Sequence, residues 1–181
     1  MKTDNIERYL ESFGKNVVAD SKKLLSSAKG DTALGKSIRV KVVKTPDGFS
    51  TKFYMADYGT FLDKGVSGNK KKQSFQDYKG TKMSSPYSYT TKGPPIDILS
   101  KWIKRKGIKP KGFGRGRSKN TGQYISAFAY LISRKIKRDG IKSLSFFQKP
   151  LGLWYDKLQH DFLSVFTADI KSYLTTFTKY K

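Results

Sequence analysis

The sequence predicts an α+β fold, and three changes of hydrophobic period carry that expectation. Apolar residues recur at helical spacing over residues 4–28, then alternate on a two-residue period around a turn at 45–48. They return to helical spacing in three later stretches, which begin after a long Lys- and Tyr-rich loop. The expected architecture is an N-terminal helix, a β-hairpin or small antiparallel sheet with packed helices, a long arm loop and a helical C-terminal segment.

In the first helix, Ile6, Leu10, Phe13, Val17, Leu24, Leu25 and Ala28 fall near one face, with Glu7, Arg8, Lys15, Lys22 and Lys23 elsewhere. Thr3 or Asp4 can cap its start and Gly30 is placed to end it, while Gly14 lowers its intrinsic propensity. Over residues 37–44, Ile38, Val40 and Val42 alternate with Arg39 and Lys41, the pattern of a half-buried strand. Pro46 presets φ and Gly48 supplies positive φ for a turn, and Phe49 to Ala56 return as the second strand of a hairpin.

The segment 66–93 is longer than the usual connection inside a compact domain and reads as a functional arm. It holds Lys70, Lys71 and Lys72 with Phe75, Tyr78, Tyr87 and Tyr89. Pro94 and Pro95 then open a helix striped by Ile96, Leu99, Trp102 and Ile103, which Gly107 stops. Lys109 to Asn120 is a Gly- and Arg-rich loop. A third helix is expected over about 122–138, burying Ile125, Phe128, Ala129, Ile132 and Ile136. Its basic last turn, Arg134, Lys135, Lys137 and Arg138, suits the helix dipole. Residues 141–150 read as a short extended linker with Phe146 and Phe147. From 153 to 179 the helical period returns, with Thr167, Thr175 and Thr176 making that helix dependent on packing. The expected organisation is one α+β domain over 1–150, carrying the arm loop 66–93, and a helical extension over 151–181.

With 37 Lys+Arg against 14 Asp+Glu, the formal charge is +23. Such a surface repels its own copies unless counter-charge is supplied, so the expected partner is nucleic acid or an acidic protein surface. The absence of cysteine excludes a disulfide framework and a thiolate metal site. The polar N-terminus lacks a signal-peptide core, and no apolar run approaches the roughly 20 residues of a membrane span. The expectation is a chain made in a cytoplasm, with no membrane partner.

Motifs for catalysis are weak. Gly30 to Ser37 match the phosphate-loop pattern, but a helix leads in and a strand leads out, the reverse of what that chemistry needs. The bland reading is a helix end, a short loop and a strand start. Gly112 to Arg117 lie in a basic loop with no preceding strand; Arg115 and Arg117 there suit bidentate contact with phosphates or carboxylates. His160 is the single histidine, so neither an imidazole metal site nor a His-based triad is expected. No catalytic residue, cofactor or metal is nominated. Basic residues interleave with aromatics at 70–92 and 101–119, a single-strand binding recipe without a recognised module around it.

Tyr58-Gly-Thr-Phe-Leu-Asp-Lys-Gly-Val-Ser-Gly68, directly after the hairpin, resembles the tail-completion and head–tail connector (neck) proteins of tailed bacteriophages, in particular those of crAss-like phages. Pro94-Pro95, the Trp102 helix, the loop 107–120 and Phe146-Phe147 follow in similar order; Ser145 to Pro150 and the long C-terminal helix depart from the pattern. The resemblance implies a structural virion protein at the head–tail junction, closing into a homomeric ring of about six or twelve copies around the DNA channel. Its implied partners are further copies of itself, the portal and other neck or tail proteins, with sequence-independent contact to viral DNA. On this reading Tyr58, Phe61, Leu62, Asp63 and Gly65 are pivots of the protomer interface. Lys70, Lys71 and Lys72 make one basic contact, and Arg115 with Arg117 a second. The alternative is a nucleic-acid-binding phage accessory protein that coats DNA without forming a ring.

Overall fold

A computed structural model describes residues 4–30, 32–108, 115–117 and 124–178. Among the described residues the fold is α+β, more helix than strand, with small antiparallel sheets. The first half runs α1 (Asp4–Lys29), α2 (Ala33–Ser37), β1 (Arg39–Thr45), β2 (Gly48–Tyr54), α3 (Gly59–Lys64), β3 (Val66–Ser67), β4 (Ser74–Gln76) and β5 (Lys82–Ser84). Then follow α4 (Ile96–Arg105), β6 (Arg115–Arg117), β7 (Tyr124–Ser126), α5 (Ala127–Asp139), β8 (Gly140–Ile141) and α6 (Gln148–Thr178). Two compact units divide these elements: Met1–Asp63, Gln76–Lys82 and Leu144–Lys181 form the first, Lys64–Phe75 and Met83–Ser143 the second.

In the first unit α1 and α6 pair antiparallel. Trp154 Nε1–H donates to Asp20 at 2.7 Å, the Tyr9 hydroxyl donates to Asp161 at 3.1 Å, and the Ile6 amide donates to Asp169 at 3.0 Å. Partners advance on one helix as they recede on the other. Phe13, Val17, Val18 and Leu25 of α1 form the core with Leu34, Ile38, Phe146 and Phe147. Each such side chain, fully buried, contributes about 1.5–3 kcal/mol. The hairpin pairs Val40 with Phe53 and Val42 with Thr51, and Thr45 opposite Gly48 closes a two-residue loop. A lone hairpin is marginal in water; here Phe53 meets Phe13 and Phe147 edge-on, with centroids 6.3 and 5.3 Å away. Gly14, a weak helix residue, is explained by close approach: a Cβ there would lie 2.6 Å from Val40 Cγ2.

The C-terminal helix begins earlier than its sequence pattern suggests. α6 starts at Gln148, and Pro150 sits in its first turn, where its missing N–H has no partner to lose. It is 31 residues long and belongs with α1 in one unit. Tyr78 packs edge-on against Tyr155 at 5.6 Å, and the Tyr78 amide donates to Gln148, which brings the Gln76–Lys82 stretch onto the same helix.

In the second unit β3 pairs antiparallel with β8, matching Val66 with Ile141 and Ser67 with Gly140. The 66–93 segment is folded onto its own chain. Ser67 donates to the Tyr87 carbonyl and accepts from the Tyr89 amide, both at 2.8 Å, and Gln73 Nε2 donates to the Asp139 carbonyl at 2.7 Å. The helix expected over 122–138 is corrected at its start. Tyr124–Ser126 pair as a strand with Arg115–Arg117, and α5 begins at Ala127. Ile125 fits the helical period, but an aromatic followed by a β-branched residue suits a pleated strand once a partner strand is present. The rest of the loop 109–120 lies outside the described residues.

Candidate basic groove and assembly face

The end of α5 organises a groove in the second unit. The last carbonyls of a helix have no partner within it; here the Asn69 amide donates to the Lys137 carbonyl and the Lys70 amide to the Arg138 carbonyl, both at 3.0 Å. The Lys71 amide shares the Arg138 carbonyl at 3.3 Å. This turn closes the negative end of the helix with backbone N–H groups. Side-chain cations are therefore left to face outward, and the exposed Lys70 is carried to those of α5. Lys70, Arg134, Lys135, Lys137 and Arg138 line an open groove of about 930 Å³ with Tyr130, and no carboxylate is among its described lining residues.

Internal contacts orient some of these groups. Lys137 Nζ donates to the Thr91 carbonyl at 2.7 Å, and the Arg134 guanidinium lies 5.8 Å from the Tyr130 ring centre. Arg138 grips Asp139 with two hydrogen bonds of 2.8 and 2.9 Å. That hydrogen bonding holds the Asp139 carboxyl below its ordinary range, and the charges of Arg138, Lys135 and Lys71 act in the same direction. Asp139, next to the groove-lining Arg138 in sequence, is thus already paired.

A different surface runs along α6 in the first unit. At 100° per residue, Trp154, Asp161 and Asp169 mark the side turned to α1, while Phe162, Leu163, Phe166, Ile170, Tyr173 and Leu174 fall within an arc of about 120° beside it. Leu163 is 71% exposed and Leu174 57%, and Phe162 stacks on Phe166 at 6.3 Å. Thr167 and Thr178, at the edge of that arc, turn their hydroxyls back onto carbonyls of their own helix, so their methyl groups extend the apolar surface. Residues 158–178 hold two aspartates, of which Asp169 is buried, and one lysine. In a chain of charge +23 this is a nearly neutral strip.

The residues singled out in the sequence separate into different environments. Tyr58 and Phe61 are exposed at 47% and 41%. Leu62 is half-buried. Asp63 is 3% exposed and accepts from the Phe147 amide at 2.8 Å and the Gln148 amide at 3.4 Å, capping the start of α6. Gly65 has φ +73°, and a Cβ there would lie 2.8 Å from the Ile141 carbonyl oxygen. Lys70 reaches the groove; Lys71 and Lys72 are exposed next to it in sequence. Arg115 and Arg117 stand on β6, and their side chains lie outside the described residues.

At the phosphate-loop-like stretch, α2 is a five-residue helix, and Thr32 Oγ1 accepts from the Gly35 amide at 3.2 Å. The chain's own hydroxyl takes a donor that a phosphate would need. Among the described residues no three His, Cys, Asp or Glu side chains gather into a metal-holding group, and no helix is long and apolar enough to cross a membrane. Sequence reasoning missed, among other features, the capping role of Asp63 and the α6 strip. The first depends on an amide 84 residues away. The second was visible only as a helical period without its exposure. Comparison with family models, curated proteins and solved structures finds no match to this chain.

Proposed function

We propose that this chain is a structural protein of a tailed-bacteriophage particle, assembling with its own copies into a ring at the head–tail junction. There it joins the portal or other ring proteins to the tail around the DNA channel, with no catalytic step. The observation that carries the reading is the apolar, nearly uncharged strip of α6. A chain with a +23 charge repels itself over most of its surface. Contact through Leu163, Phe166 and Leu174 holds copies together where the opposing charge is least, and each such side chain, fully buried, contributes about 1.5–3 kcal/mol. A second copy is therefore the occupant assigned to this face. The exposed Tyr58 and Phe61 offer a further apolar contact for a neighbouring protomer. The resemblance of the 58–68 segment to phage neck proteins supports the location.

The test is to locate the chain in purified tailed particles by gold-labelled antibody and electron microscopy. Label at the junction between head and tail is the expected result. Particles that lack the chain, or carry it only inside the head, contradict the proposal. The basic groove favours a second reading, an accessory protein that coats nucleic acid without closing a ring.

A further inference from the structure

We infer that the groove at the end of α5 is a binding site for the sugar–phosphate backbone of nucleic acid, occupied without reading sequence. The inference rests on the reading above only in taking the surplus positive charge as an interface; it does not require a ring.

Three features favour phosphate over a solvated charged surface. The first is local sign: five cations meet in one concavity with no carboxylate among its described lining residues, and Asp139 beside it is held by Arg138. The second is construction. Lys70 reaches α5 because the 69–71 backbone is bonded to the last carbonyls of that helix, so the cluster is built from two chain segments whose backbones are tied together. The third is geometry. Tyr130, Arg134 and Lys137 follow one another at positions i, i+4 and i+7 on one helix face, a row of about 10 Å. An aromatic ring with a guanidinium beside it, followed by an ammonium, can take a base face and successive phosphates. Tyr130, 46% exposed, supplies a ring face on which a base can stack beside those phosphate contacts.

The test measures binding of a fluorescent single strand of about 20 nucleotides, and of the matching duplex, to the full chain across a salt series. One variant is K70E/R134E/K135E. A control, K23E/K41E/K52E, makes the same change of net charge at exposed positions in the other unit. The groove variant should weaken binding at least about 100-fold, the control less than about 5-fold, and the duplex salt slope should fall by about three with the groove variant. Equal loss in both variants overturns the inference, since attraction would then be a property of net charge alone. So does a polyglutamate peptide of the same charge that binds as tightly as the DNA and is lost with the same variant, because the groove would then take protein carboxylates. If the glutamate variant does not fold, K70A/R134A/K135A carries the same comparison against K23A/K41A/K52A. Oligomeric state is read on the same samples: lost DNA binding with unchanged assembly isolates the groove, whereas a monomeric wild-type chain that still binds DNA through it counts against the ring alone.

Discussion

Asp63 and Asp169 are buried aspartates in a chain short of acids, and both close the open start of a helix from outside it. Asp63 accepts from the amides of Phe147 and Gln148 where α6 begins, and Asp169 accepts from those of Asn5 and Ile6 where α1 begins. Each carboxylate meets the positive end of a helix dipole, where N–H groups lack partners. Removing one leaves buried donors unsatisfied, so D63A should lower unfolding free energy by about 2–3 kcal/mol in urea melts, and D63N, which keeps one acceptor oxygen, by less. Equal losses from both variants would show that the carboxylate charge has a larger part than its hydrogen bonds. Phe146, fully buried next to this cap, should cost about 3–5 kcal/mol as F146A, measured in the same way. None of this was legible from the sequence. The 58–68 segment stands out in the sequence only by its resemblance to phage neck proteins, and a carboxylate's partner 84 residues away leaves no local trace.

At the scale of elements, the pairing of α1 with α6 makes the C-terminal helix possible. Its threonines are poor helix formers, and long-range bonds from Tyr9 and Asp20 hold it against α1. Burial first, then the hydrogen bond and charge of Asp161, raise the Tyr9 phenol above its ordinary 10.0. A phenol with a folded value above its unfolded one contributes stability that is complete below pH 10.0 and is lost as pH climbs through the folded value. Chemical denaturation from pH 9 to about 11 should therefore show wild type losing stability faster than Y9F. Parallel curves would remove Asp161 from the account. α1 and the hairpin were legible because each repeats its period locally over many residues. The beginning of α5 was not: the 124–126 stretch fits a helix by spacing, and only pairing with 115–117 makes it a strand. The start of α6 was obscured by Pro150, which reads as linker until its place in a first turn is known.

For the whole molecule, the distribution of charge matters more than its sum. Acidic side chains are drawn into structural work at Asp20, Asp63, Asp161 and Asp169, and Asp139 is held by Arg138. Cations gather at the groove, and the α6 strip is left almost bare of charge. Composition made the positive excess plain, but the gathering of five cations in one groove and the neutral strip on α6 needed the fold. Since the strip is where copies are proposed to meet, L163K/L174K should block assembly while leaving the unfolding free energy within about 0.5 kcal/mol of wild type, because both side chains are already in water. Sedimentation velocity of the full chain and of this variant, from about 1 to 100 μM at about 0.15 M salt, tests self-assembly through α6 most directly. Wild type should form a discrete closed species that the variant cannot form. A wild-type chain that sediments as a monomer throughout, or a variant that assembles as well as wild type, would contradict it.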